Sequence, residues 1–168
     1  MTFELRKPDG PPERPSPVTP ARIAAALATR GYVTQTMGGA VTGAWDGFDV
    51  EIRLHHAEEV RAGGPQDGAH AAAPGSLLVV EAQWGHAVPG GMRSAVHLAL
   101  NDWNRQQLWP TGVLVPRDEG WTATARFVAD VADGLGNEQL VTTLDTALRS
   151  SLALLKSLGV PSRRLTDE

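Results

Sequence analysis

The chain is predicted to fold as one α+β domain, an antiparallel sheet with helices packed on one face. Three observations lead to this prediction. Runs of alternating apolar and polar residues come in hairpin groups, which is typical of α+β domains. An Asp46-Gly47 step joins two of these runs, and this pair favours a tight hairpin turn. A long amphipathic segment at 136–159 predicts a final helix and completes the order α-β-β-β-α-β-β-α.

The first half of the domain begins with a helix and continues into strands. Thr19 precedes Pro20, so a hydroxyl cap is followed by the residue that suits the first helical position, and a helix is predicted at 20–30. Residues 32–37 alternate in the manner of a strand, and 40–54 holds the two strands of the hairpin. The apolar face of the second hairpin strand is formed by Phe48, Val50, Ile52 and Leu54. Polar residues alternate with them, as in a half-buried antiparallel strand.

The second half contains a strand, a helix, a hairpin and the final helix. Residues 76–84 form the last strand of the first meander, and 111–131 form the second hairpin. The helix between them ends near Gln107, because Pro110 disfavours a helical residue before it. Its expected apolar stripe is Met92, Val96, Ala99, Leu100 and Trp103. Asn137 is the expected cap of the final helix. The final helix is expected to bury Leu140, Leu144, Ala147, Leu148, Ser151, Leu155 and Leu158.

The packed domain is predicted to span residues 19–158, with less ordered segments around and within it. Residues 1–18 are rich in proline and poor in apolar surface, and we expect a disordered arm. The Ala/Gly/Pro-rich run at 55–75 predicts a flexible loop, and 159–168 a frayed tail. No stretch approaches the roughly 18 apolar residues of a membrane span, and the N-terminus lacks the apolar run of a secretory signal. A cytoplasmic location is therefore expected.

Composition excludes several functional classes. The net charge is -4 and the isoelectric point is about 5.7, whereas a general nucleic-acid binder is usually basic. Cysteine is absent, so disulfides, thiolate metal sites and cysteine nucleophiles are excluded. Hydrophobic residues make up 42% and charged residues 20%, which is ordinary for a globular domain.

The residue types that carry chemistry form no recognisable catalytic or metal motif. The stretch "HHAEE" at 55–59 offers imidazole and carboxylate ligands, but adjacent histidines on a strand point to opposite sides. A polar strand end is the favoured interpretation. Gly90-Gly91 precedes a helix without the lysine of a phosphate-binding loop. His97 borders the apolar stripe of the second helix and is expected to be a partly buried structural residue. We therefore expect no catalytic residue, metal or cofactor.

The stretch "NDWNRQQLWP" at 101–110 places two of the five tryptophans among hydrogen-bonding side chains. It resembles the second-helix motif of the YbjN-like domain family, whose members are described as bacterial sensory transduction regulators. The matching residues are Asn101, Trp103, Asn104, Trp109 and Pro110. The resemblance covers about 18–158, because the first helix, the first hairpin, and the last strand and helix also follow in the order of the family.

The resemblance implies a fold similar to that of type III secretion chaperones, which are small acidic homodimers that bind partner segments without chemistry. It carries over no catalytic or cofactor residue. In such a fold Trp103 is expected to fill the seam between the second helix and the sheet. Trp109 is expected either to anchor the turn into the next strand or to belong to a partner surface, and its indole N–H needs an acceptor.

The sequence therefore predicts a non-enzymatic cytoplasmic domain that binds an unidentified protein partner in a regulatory or chaperone-like role. A homodimer is expected, with no nucleic-acid or membrane partner. Both the second helix and the outer face of the sheet are candidate dimer surfaces. The alternative is a small-molecule sensor or enzyme with a pocket between the second helix and the sheet, where His97 or Arg93 would supply the polar contact.

Overall fold

The part of the chain that the structure describes contains six antiparallel strands and three α-helices. The computed structural model describes residues 13–55, 77–118 and 120–159. The strands are β1 (Gln35–Met37), β2 (Ala40–Trp45), β3 (Phe48–His55), β4 (Leu77–Trp84), β5 (Thr111–Arg117) and β6 (Gly120–Asp130). The helices are α1 (Pro20–Ala28), α2 (Arg93–Gln106) and α3 (Asn137–Ser157), and a 3-10 turn at Gly90–Met92 precedes α2. The α+β class is confirmed. The structure has six strands where the predicted order has five, and β1 lies within the run predicted as a strand at 32–37.

The strands form one sheet in which β1 and β5 lie at the two edges. The spatial order is β1-β2-β3-β4-β6-β5, and every neighbouring pair is antiparallel. The β2–β3 hairpin turns at Asp46 and Gly47, whose φ angles are 54° and 83°. Positive φ at both central residues is what a type I′ turn requires, so the predicted hairpin is confirmed. Trp45 lies opposite Phe48, and this pair closes the hairpin next to the turn.

One face of the sheet, here called the inner face, is buried beneath the helices. Along β3, Val50 and Ile52 are buried whereas Asp49 is exposed. The register carries this alternation across the sheet, since Ile52 lies opposite Val80 and Val80 lies opposite Phe127. Helix α3 contacts β4 and β6, α2 contacts β5, and α1 packs on α3. The prediction that the helices cover one face is confirmed, and the outer face carries the alternating polar residues.

Helix α3 contributes more buried residues than any other described element. They are Leu140, Leu144, Ala147, Leu148, Ser151, Leu152, Leu154 and Leu155. All of the predicted inner residues except Leu158 are among them, and Leu158 packs against the core while partly exposed. Each fully buried leucine contributes about 1.5–3 kcal/mol relative to an exposed one. The core therefore depends largely on this single helix lying along the middle of the sheet.

The helix ends show one prediction that is confirmed and two that are wrong. Thr19 caps α1, because its Oγ1 accepts a hydrogen bond from the backbone N–H of Arg22 at 3.3 Å. Helix α1 stops at Ala28, two residues short of the predicted end. Asn137 is the first residue of α3 and not its cap. Gly136 occupies the cap position; its N–H donates to Oε1 of Gln139 at 2.9 Å, and so the Gln139 side chain closes this end.

The last part of the predicted disordered arm packs against the domain. Ser16 and Leu135 exchange two backbone hydrogen bonds of 3.2 and 3.0 Å, and Val18 is fully buried. Arg22 bridges the same two segments, because its guanidinium donates to the carbonyl oxygens of Ser16 and Leu135 at 2.6 and 2.8 Å. Residues 13–18 thus belong to the packed domain, and the boundary predicted at residue 18 is corrected accordingly.

Three predicted segments lie wholly or largely outside the described residues. They are residues 1–12 of the arm, all but His55 of the 55–75 loop, and residues 160–168 of the C-terminal tail. His55 is the last residue of β3, and Gly159 directly follows the last turn of α3.

Ser151→Ala is expected to raise the free energy of unfolding. The Ser151 side chain is fully buried on α3, and its hydroxyl has no hydrogen-bond partner among the described residues. Since an unsatisfied buried hydroxyl costs about 1–3 kcal/mol, its removal should stabilise the domain by about 1 kcal/mol in urea denaturation. Ser150→Ala is the control, because that exposed hydroxyl already donates to the carbonyl of Thr146. A loss of stability in Ser151→Ala would show that the hydroxyl has a partner.

Candidate functional site

The five motif residues lie at the junction between the end of α2 and the start of β5. Helix α2 ends at Gln106, and Gln107 already has extended backbone angles, φ -118° and ψ 142°. The chain then passes through Pro110, which is buried and follows a cis peptide bond, and enters β5 at Thr111. The predicted end of the helix is thus confirmed to within one residue. The structure brings the side chains of α2 against the first residues of an edge strand.

Trp103 fills the seam between α2 and the sheet, as predicted. Its ring is partly buried and packs against the hydrophobic core. Its indole Nε1 donates to the carbonyl oxygen of Pro110 at 3.0 Å. The side chain therefore combines apolar burial with a satisfied polar atom, which is the usual requirement for a buried tryptophan.

Asn104 binds the backbone of β5 with both ends of its amide. Its Nδ2 donates to the carbonyl oxygen of Gly112 at 2.9 Å, and its Oδ1 accepts from the N–H of Gly112 at 2.7 Å. Gly112 lies opposite Ala125 on β6. Since both polar groups of Gly112 point to Asn104, they face away from β6 and would otherwise be open at the sheet edge. The amide takes the place of the next strand.

Gly112 is the point of closest approach between the helices and β5. A Cβ atom at this position would lie 2.6 Å from Cδ2 of Leu100 and 3.0 Å from Cδ2 of Leu154. Residues from α2 and α3 thus occupy the space that any other side chain would need. The backbone groups of β5 that point away from β6 belong to Gly112, Leu114 and Pro116. Pro116 has no N–H to donate. The β5 edge is therefore interrupted at two of its three outward residues.

The structure does not bring Asn101 or Trp109 into this bonding arrangement. Asn101 is exposed on α2 and makes no hydrogen bond with a described residue. Trp109 is 54% exposed, and its ring centroid lies 5.8 Å from that of Phe127 at the edge of the core. No described residue accepts a hydrogen bond from its indole. Of the two roles predicted for Trp109, the exposure favours a surface residue over a core anchor.

Helix α2 buries less than its sequence predicts. Val96 and Leu100 are buried, but Met92 and Ala99 of the predicted stripe are exposed, and this part of the prediction is wrong. The helix packs mainly on the edge strand β5, and this flank of the stripe is exposed. His97 is also exposed, which corrects its predicted role as a partly buried structural residue.

The solvent-exposed side of α2, continued by the turn before it, carries small and apolar residues. These residues, here called the α2 apolar side, are Met92, Ala95, Leu98 and Ala99, spaced three and four apart. All four are exposed, and Leu98 is 64% exposed. Leu108, which follows the helix, is 88% exposed. The sequence prediction missed Leu98, because it lies on the face opposite the buried stripe.

The described residues give no support to the predicted alternative pocket between α2 and the sheet. The guanidinium of Arg93 lies over the ring of Trp121, with Cζ 4.1 Å from the ring centroid. This contact is a cation–π interaction that covers the aromatic ring. His97 points into solvent. The two side chains proposed as polar contacts therefore do not converge on a cavity.

The histidine-rich stretch gives only partial information on metal binding. His55 is described at the end of β3, but residues 56–59 lie outside the described part of the chain. Among the residues that the structure describes, no three His, Asp or Glu side chains are grouped in a way that could hold a metal ion.

A comparison with known protein families identifies a match over residues 74–159. The family is YbjN, with the description "Putative bacterial sensory transduction regulator". The match spans just over half of the chain. The chain belongs to the YbjN family. The matched region contains α2, β5, β6 and α3, and with them every residue of the Asn104–Gly112 contact. The family resemblance predicted from the motif is confirmed.

Two solved structures resemble the fold of this YbjN-family chain. One is described as "Crystal structure of YbjN, a putative transcription regulator from E. coli"; it is 16% identical, covers 86% of this chain and 96% of that chain, and has a TM-score of 0.62. The other is an uncharacterised protein from Methanothermobacter thermautotrophicus, 11% identical, covering 84% and 97% of the two chains with a TM-score of 0.46. No curated protein matches the sequence. The first likeness establishes the YbjN fold for this chain.

The motif residues hold the start of β5 against α2. Two of the five motif residues, Trp103 and Asn104, bind backbone atoms of the strand entrance, and Pro110 provides one of those atoms. The sequence prediction also missed Gly112. A glycine inside an apolar strand run was the available indication, since it often marks a close approach of another element.

In the described part of the chain, no helix is both long and apolar enough to cross a membrane.

Asn104→Ala is expected to lower the free energy of unfolding by about 1–3 kcal/mol, since two hydrogen bonds of about 1 kcal/mol each are lost and an edge strand loses its cover. The measurement is urea denaturation, together with amide hydrogen exchange of Gly112, which should become faster. Asn101→Ala is the matched control on the same helix, and its stability should stay within about 0.5 kcal/mol of wild type. Equal effects of the two substitutions would contradict the role assigned to Asn104.

Proposed function

We propose that this YbjN-family chain is a non-enzymatic cytoplasmic regulator that acts by binding protein, and that its first partner is a second copy of itself. The family description supports the regulatory part of this proposal. The observation that carries the binding part is the α2 apolar side. A helix of a monomeric domain usually turns its apolar residues inward, so an exposed apolar side marks a contact surface.

The composition of the α2 apolar side suits a close contact between helices. Ala95 and Ala99 are small and one turn apart, so a second helix can approach the backbone there. Leu98 beside them provides an exposed aliphatic side chain that a partner would bury. Full burial of a leucine contributes about 1.5–3 kcal/mol, and two copies would bury it twice.

Charges next to the α2 apolar side favour a second copy as the occupant. Asp102 and Arg105 lie on the outward side of the helix, 3.5 Å apart at their closest charged atoms and both exposed. A two-fold axis brings the same patch of each copy together, so a patch of one charge sign would repel itself. A patch that carries both signs can instead place Asp102 of one copy near Arg105 of the other.

Leu98→Asp is expected to convert a homodimer into a monomer. Wild-type protein should sediment as a dimer at micromolar concentration, and the variant at the monomer mass of 17.8 kDa, because a buried carboxylate in each copy would be unpaired. Sedimentation equilibrium over a dilution series measures this, and circular dichroism checks that the variant is folded.

His97→Asp is the matched control, since His97 is exposed on the same helix but lies outside the α2 apolar side. This variant should remain dimeric. A wild-type monomer throughout the dilution series would contradict the proposal. Dissociation by Val33→Asp but not by Leu98→Asp would assign the interface to the outer face of the sheet, where Val33 is 84% exposed near β1.

A further inference from the structure

Most charged side chains on the outer face of the sheet are paired with one another. Glu51 and Arg53 form a hydrogen-bonded ion pair on β3, and this bond raises the pKa of the Arg53 guanidinium against a smaller opposing effect of burial. Glu81 on β4 and Arg126 on β6 lie opposite each other, and their side chains meet at 2.5 Å. These pairs are partly exposed surface ion pairs, so each stabilises the fold only weakly.

A pocket at one end of the outer face contains charges that are not paired in this way. It has a volume of about 350 Å³ and lies where β3, β4 and the β5–β6 hairpin come together. Polar side chains dominate its lining, which includes Asp49, Gln83, His86, Arg117, Asp118 and Thr122. A cavity of this size accepts a molecule as large as an amino acid.

Arg117 crosses the sheet to reach this pocket. It stands at the end of β5, and its Nη2 donates to Oε1 of Gln83 on β4 at 2.9 Å. Since β6 lies between these strands, the arginine side chain passes over β6. Thr122 and Thr124 of β6 also belong to the outer face, but they are only 6% and 1% exposed. The guanidinium is bonded to a neutral amide and forms no ion pair with a described carboxylate.

Asp49 lies next to the point that Arg117 reaches. Asp49 and Gln83 are directly opposite each other on β3 and β4, so the carboxylate of Asp49 and the guanidinium of Arg117 both adjoin Gln83. Gly85 leaves the carboxylate open, because a Cβ there would lie 3.2 Å from Oδ2 of Asp49. Asp49 and Asp118 form no ion pair or hydrogen bond with another described residue.

We propose that this pocket binds a free basic α-amino acid. The α-carboxylate would accept hydrogen bonds from Arg117, and the α-ammonium would donate to Asp49. Gln83 adjoins both residues, since it lies opposite Asp49 and accepts a hydrogen bond from Arg117. The aliphatic side chain would extend back across the strands, and its terminal cation would pair with Asp118 in the turn after β5. Asp49 and Asp118 both line this pocket, so a ligand that carries a cationic group at each end can contact both carboxylates.

The charge of the pocket favours a basic ligand over a neutral one. Two carboxylates and one guanidinium leave a net negative charge, which a ligand with two cationic groups and one carboxylate neutralises. A ligand that lacks one of its two cationic groups or its carboxylate would leave at least one charge of the pocket without a partner. The charge-assisted hydrogen bonds expected here are about twice as strong as neutral ones, so each matched group should matter for affinity.

The test uses L-lysine titrated into the full chain by isothermal titration calorimetry at low salt. Two comparison ligands each lack one charged group: L-norleucine lacks the side-chain amine, and the diamine cadaverine lacks the carboxylate. L-lysine is expected to bind with a dissociation constant in the millimolar range or tighter, and each comparison ligand about tenfold more weakly. No binding of L-lysine at millimolar concentration, or equal binding of cadaverine, would overturn the proposal.

Substitutions locate the site. Asp49→Asn and Arg117→Gln should each weaken L-lysine binding about tenfold or more. Glu81→Gln and Arg126→Gln are the matched controls, because these residues lie on the same outer face but outside the pocket lining. Equal weakening by the control substitutions would reduce the effect to general surface charge and overturn the assignment. The pocket shares no residue with the α2 apolar side, so the dimer experiment and this titration can fail independently.

Discussion

The fold depends on how closely α2 can approach the edge strand β5. At Gly112 the amide of Asn104 takes the position of a neighbouring strand, and aliphatic carbons of Leu100 and Leu154 fill the space where a side chain would begin. One backbone position therefore joins α2, α3 and the sheet. Because the strand entrance is held from this side, the orientation of α2 is fixed, and with it the side of the helix that remains open to solvent.

The features that were predicted correctly are those that short stretches determine. The Asp46-Gly47 turn depends on the φ preferences of two neighbouring residues, and the buried stripe of α3 depends on periodicity within one helix. Contacts between distant parts of the chain were missed. Ser16 pairs with Leu135, more than a hundred residues away, and no local pattern in a proline-rich segment indicates such a partner.

The motif at 101–110 likewise combines a feature that the sequence predicts with contacts that only the tertiary structure shows. The sequence identified the stretch around Asn101 and Asn104, but it could not separate the two asparagines, since residue type and helix position are similar. Only the tertiary structure distinguishes the one that meets Gly112 from the one that meets solvent. Likewise, alternation places Asp49 and Arg117 on the outer face, but the strand order β4-β6-β5, which lets Arg117 reach the row of Asp49, is a property of topology.

The two edges of the sheet differ, and the difference limits how molecules of this protein can associate. A fibre built by continuous strand addition needs two open sheet edges on every molecule, because each molecule must pair with a neighbour at both edges. Asn104 occupies Gly112, and Pro116 offers no donor, so β5 cannot provide a second uninterrupted edge. Any pairing through β1 would therefore stop when two molecules had joined. The same amide that positions a helix thus also protects the protein from open-ended polymerisation.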